Sequence, residues 1–223
     1  MTDEPGSETD SAPLQRIFGA ERAKAFIDAV VAIAMTLLIL PLMESVSDLG
    51  EADLGAAHWF VVHQWQLVSF VISFAVIASF WVNHHHLYAK VDRVSNGLLW
   101  VCIVWLLSIV WMPVATAMTG LMSSGDPVVK IVYIGTMILT SLLTLGQRLL
   151  LHTHPGLHGI DDDDLRRGMA VDIAMAVLFA VALVVAITVP LVNYYALFLL
   201  FLTGIGQRAI ARLMRIPPPT RRV

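Results

Sequence analysis

Charge is scarce in this sequence. Asp, Glu, Lys and Arg supply 14% of its 223 residues, where soluble domains carry about a quarter. With 57% hydrophobic residues and a mean hydropathy of +0.76, the deficit argues against a soluble enzyme and for a chain that crosses a membrane several times. Cysteine is rarer still. The single Cys102 lies inside an apolar run, which excludes a disulfide framework and a Cys-based zinc site. No Gly-rich phosphate loop, Gly-x-Ser-x-Gly element or repeated His box of a di-iron membrane enzyme is present, so no catalytic residues and no enzymatic activity are expected. The first twenty residues lack an apolar core. They read as a disordered cytoplasmic tail over 1–20, not as a cleaved signal peptide.

What is present is a set of six apolar segments, at about 25–43, 61–82, 97–119, 128–150, 169–189 and 192–211. Each is near the length that a spanning helix needs. The expected fold is an all-α membrane protein with one six-helix domain over 21–213 and a short tail over 214–223. Arg16, Arg22, Lys24, Lys90, Arg93, Arg148, Arg166, Arg167, Arg208, Arg212, Arg215, Arg221 and Arg222 fall on one side of those spans, with only Lys130 on the other. Glu44, Asp48, Glu51 and Asp53 lie on that second side. The bias orients both termini to the cytoplasm, N-in and C-in, with an acidic outer loop.

The first segment is unusual because a charged pair leads into it: Arg22-Ala-Lys-Ala-Phe26-Ile27-Asp28, then AVVAIAMTLLILPL. Ionisable residues at such a position are costly and mark an ion path or a fixed structural pair. At 100° per residue, Phe26, Ala29, Ile33, Thr36, Leu37, Leu40 and Glu44 share one face. Asp28 points away from it, toward Lys24, Arg22 or a neighbouring helix. On spacing alone, the face suits packing against lipid or bundle. Several copies around an axis would instead make it a pore wall, with apolar rings, the Thr36 hydroxyl to replace ion hydration and Glu44 at the outer mouth.

The run from Arg22 through Phe26 and Asp28 into the Ala/Ile/Thr/Leu-rich span resembles the signature helix of the TMEM175 potassium channel family in its bacterial six-span form. Phe80-Trp81-Val-Asn83-His84-His85-His86 resembles that family's Trp-x-x-His-His, and Met112-Pro113 with Thr116 matches the next span. The resemblance implies a homotetramer whose first helices line the pore. It implies that Ile33 forms the constriction, that Leu37 and Leu40 add apolar rings, and that Thr36 contributes potassium preference. It also implies that Arg22 and Asp28 anchor the helix, with Trp81, Asn83 and His84 as partners. Potassium is then the permeant ion. No cofactor, bound metal, nucleic acid or protein partner is implied, and the location is the cell inner (plasma) membrane, in contact with lipid. One residue departs from the pattern: Ile27 stands where the family carries serine.

Histidine suggests the main competitor. Three consecutive residues on a helix point about 100° apart, so His84, His85 and His86 cannot share one ion. His152, His154 and His158 with Asp161 to Asp164 form a better metal-like group. A six-span divalent-metal transporter is therefore an alternative, although its fifth span offers only Asp172 and its second no acid. A proton-permeable channel of the same fold is another.

Overall fold

A computed structural model describes residues 18–50, 55–122 and 126–189 of the chain. The expected sixth span at 192–211, the tail at 214–223 and residues 1–17 lie outside the described residues. Within them the chain forms α1 (Ala20–Leu37), α2 (Leu40–Gly50), α3 (Ala56–Val62), α4 (Gln64–Tyr88), α5 (Asn96–Leu121), α6 (Pro127–Thr153) and α7 (Asp162–Thr188). Two short strands, β1 (Phe18–Gly19) and β2 (Arg93–Val94), pair antiparallel. Five stretches are long and apolar enough to cross a membrane: Ala20–Ser47, α4, α5, α6 and α7.

Local chemistry accounts for the helix ends. Ser95 accepts a hydrogen bond from Leu98 N and starts α5, and Asp126 accepts one from Val128 N with Pro127 opening α6. The Asp162–Asp164 run, expected in a loop, heads α7, where carboxylates meet the positive end of the helix dipole. The fifth span thus begins seven residues before the expected 169. The first span also differs from expectation. It breaks at Leu38–Ile39, between α1 and α2, because Pro41 has no N–H for the Leu37 carbonyl and its ring crowds that carbonyl. Pro113, by contrast, sits inside an unbroken α5.

α5 is the centre of the bundle and packs on α1, α4 and α6, while α7 packs against α6. Its Trp105, Ile109 and Met112 are fully buried. Buried hydroxyls link the helices. Ser73 bonds Tyr133 at 2.7 Å and accepts from Thr116 at 2.8 Å. Ser108 meets Thr140 at 2.9 Å, and the Trp105 indole donates to Thr144 at 3.0 Å. In an apolar surrounding, such bonds hold neighbouring helices in register.

One end of the bundle gathers the cations. β1–β2 pairing, a Val91–His158 bridge and the Lys90–Asp164 ion pair (3.1 Å) tie the start of α1 to the α4–α5 and α6–α7 connections. Lys130 stands at the opposite end, where its Nζ donates to the Ala186 carbonyl at 2.8 Å. That contact places a cation on the last turn of α7, the negative end of its dipole.

Candidate pore face and helix-anchoring sites

The two faces of α1 have opposite fates. Ile27, Val31 and Ala34 are buried against the bundle, as is Leu38 just beyond it. Phe26, Ile33, Leu37 and, on α2, Leu40 are open, with Ile33 58% exposed and Val31 1%. Thr36 and Glu44 lie on the open side too. All the residues expected on a pore wall therefore share the uncovered face of one protomer, although the break at Leu38–Ile39 puts Leu40 and Glu44 on a separate helical segment. The Thr36 hydroxyl donates to the Ile33 carbonyl at 2.7 Å. Its proton is spent on the backbone, which leaves the oxygen lone pairs as what it presents outward.

The residues expected to anchor the helix divide into two groups. Asp28 takes its partner from α4: the Trp81 indole nitrogen donates to Asp28 Oδ1 at 2.8 Å. Lys24 pairs with Glu21 at 3.0 Å and not with Asp28. Arg22 is exposed and has no ion-pair partner among the described residues. Asn83 and His84 face elsewhere. His84 is buried and stacks between Tyr88 and Trp105, each ring 4.2 Å away, with its Nε2 3.9 Å from Cys102 Sγ. Ile27, in place of the family serine, is itself buried in the apolar core.

Asn83 belongs to a second cluster. Arg148 Nε donates to Asp172 Oδ2 at 2.6 Å, and Asn83 Nδ2 donates to Asp172 Oδ1 at 2.8 Å. Arg148 Nη2 closes the triangle on Asn83 Oδ1 at 2.7 Å. The ion pair is buried, with the Asp172 side chain 1% exposed. Gly168 lies one turn before Asp172, and a Cβ there would overlap the Arg148 guanidinium. Only glycine leaves room for that group to lie on α7. In the sequence, Arg148 stands as one of the cytoplasmic-side charges and Asp172 as the lone acid of its span. The available signal was their depth: a lone cation and a lone anion inside adjacent apolar spans are expected to find each other.

The His/Asp loop does not converge. His158 Nε2 lies 3.0 Å from the Leu151 carbonyl and its Nδ1 accepts from Ile160 N, so both ring nitrogens are engaged. Asp164 pairs with Lys90. Among the described residues, no group of three His, Cys, Asp or Glu side chains is arranged to hold a metal.

The architecture is that of a multi-pass helical membrane protein with an apolar stripe left open on its first span. It superimposes on the crystal structure of a lysosomal potassium-selective channel TMEM175 homologue from Chamaesiphon minutus, with a TM-score of 0.68, covering 86% of this chain and 97% of that one at 21% identity. The family model for the endosomal/lysosomal potassium channel TMEM175 matches residues 22–113. A protein named potassium channel from Streptomyces collinus is 37% identical over 99 residues, 44% of this chain and 46% of its own length. One of the same description from Chryseobacterium is 30% identical over 99 residues, 44% of this chain and 48% of its own. Residues 22–113 are thus similar to the TMEM175 family, and the structural likeness extends the shared fold beyond them. The matched stretch spans about half the length of those relatives.

Proposed function

We propose that four copies of this chain assemble around an axis with α1 innermost and form a potassium-permeable, leak-type cation channel. The observation that carries this is the open apolar stripe of α1: in a helix whose other face is fully buried, Ile33 stays 58% exposed. One protomer encloses no bore, and a symmetric ring of copies would bury the stripe against itself. Ile33, Leu37 and Leu40 then form a narrow apolar constriction that gates by dewetting. Thr36 offers an oxygen whose proton is already committed to Ile33. Four Glu44 carboxylates gather cations at the outer mouth. The name potassium channel carried by the relatives supports the choice of ion, since their similarity covers the region that holds α1.

The cation-rich end faces the cytoplasm by the positive-inside rule, so the N-terminus is inside and, with a sixth span, the C-terminus as well. The membrane is the cell inner membrane, and open apolar side chains such as Trp100, Leu107, Val177 and Val181 meet lipid. Conduction down a gradient requires no cofactor. A divalent-metal transporter has less to work with, because Asp172 is committed to Arg148 and Asn83.

The test joins mass in detergent to potassium flux in liposomes made with the purified chain. A tetramer that passes potassium is expected, and Ile33→Ala or Ile33→Asn should raise conductance or relax selectivity. Variants that conduct like the parent would remove Ile33 from the constriction. Proton-coupled zinc uptake without potassium leak would overturn the channel altogether, and flux carried by protons alone would change the permeant ion.

A further inference from the structure

The two polar clusters meet on one short stretch of α4. Trp81 reaches α1 through Asp28, and Asn83, two residues on, reaches α6 and α7 through Arg148 and Asp172. Two residues of a helix are separated by about 200°, so these side chains leave α4 on opposite sides. α4 is therefore gripped from both flanks at one level. A turn of α4 by about 10° moves a side-chain tip 5–6 Å from its axis by about 1 Å. Directed along the bond, that displacement takes a 2.8 Å contact such as Trp81–Asp28 out of range, and directed across it, bends the bond away from its preferred line.

The far grip is the stiffer one. Arg148 bonds both partners through different nitrogens, its guanidinium lies in the space left by Gly168, and the pair is shielded from water. Planar, forked hydrogen bonding of this kind fixes direction as well as distance. Arg148, Gly168 and Asp172 all lie beyond the region matched by the family model.

We infer that Arg148 and Asp172, acting through Asn83, are positioning residues for the pore helix: they set the rotation of α4 and so the placement of the indole that holds Asp28. The α6–α7 hairpin thereby bears on α1 through α4 and α5, which pack against both. This rests on the proposal that α1 lines a pore.

The experiment is a double-mutant cycle on the full-length chain in liposomes. Asn83→Leu cuts the link to α4 and leaves the Arg148–Asp172 pair in place. Roughly a two- to thirtyfold change in potassium flux is expected, with unchanged mass in detergent. In a Trp81→Phe background, the same substitution should change flux no further, because the downstream contact is already gone. An equal fold-change in both backgrounds overturns the inference, as does a single variant that conducts like the parent. Should Asn83→Leu fail to fold, Asp172→Asn in the same two backgrounds carries the comparison. If the parent chain passes no potassium, the channel proposal fails. The positioning role is then read from the thermal midpoints of the same four proteins, where additive shifts overturn it and coupled shifts support it.

Discussion

Replacing Gly168 with alanine sets two effects of opposite sign against each other. In the interior of a helix, Gly→Ala stabilises by about 1 kcal/mol, because alanine has less backbone freedom to lose. At Gly168 the added Cβ collides with the Arg148 guanidinium, which Asp172 and Asn83 pin in place. Moving that group aside uncouples a buried ion pair, a loss of about 3–5 kcal/mol. The balance is a net destabilisation of about 2–4 kcal/mol. Gly135 on α6 supplies the control, since a Cβ there meets nothing within 4 Å and Gly135→Ala should show only the stabilising effect. Denaturant midpoints of both variants and the parent, measured in one detergent, give the comparison. A third protein, Gly168→Ala combined with Arg148→Met and Asp172→Leu, should recover most of the loss, as apolar replacements of buried pairs are often neutral or better. The reasoning is refuted if Gly168→Ala raises the midpoint as Gly135→Ala does, because the guanidinium would then not occupy the space on α7.

Three further outcomes are expected. Thr36→Val keeps the shape of the side chain and removes its oxygen, so the potassium-to-sodium permeability ratio should fall while the assembled mass holds; an unchanged ratio would release Thr36 from any part in selectivity. Lys130→Met keeps the aliphatic stem and deletes the bond to the Ala186 carbonyl, which should cost about 1–2 kcal/mol in the denaturant midpoint. No shift there would mean that the last turn of α7 is satisfied without it. Trp81→Phe removes the indole donor to Asp28 and should lower stability by about 1.5–3 kcal/mol, whereas Asp28→Asn in that background should add little. Full additivity of the two would show that they do not act as a pair.

The expectations that carried over to the structure rest on local properties of the chain. Spanning segments follow from the cost of leaving apolar residues and backbone groups in the wrong solvent, and five of the six fall on described helices. The α1 stripe follows from helical periodicity, and Ile33, Thr36 and Leu37 share the open face that spacing assigned to them. Pro41 marks where a break can fall, but Pro113 inside an unbroken α5 shows that a proline alone does not decide it. Hydropathy alone runs on to residue 43 and does not register the break. The extension of α7 back to Asp162 was missed because acidic residues look like loop until their position at a helix start is known.

The sequence by itself determined which helix faces are apolar, which ends carry cations and that Asp28 had to find a partner. Only the tertiary structure decided which partner. Lys24, four residues away and oppositely charged, looked suitable, yet it turns to Glu21, and a tryptophan of α4 takes the carboxylate. Asn83 and His84, two and three residues beyond that tryptophan, serve α7 and α5. The physical reason is that hydrogen bonds are short and directional, while a helix rotates its side chains by 100° per residue. Partner choice therefore depends on the depth and rotation at which helices pack, and those are properties of the whole bundle. The Arg148–Asp172 pair is the same case at longer range: two charges in separate spans, made a pair by the closeness of α6 to α7 and by the absence of a side chain at Gly168.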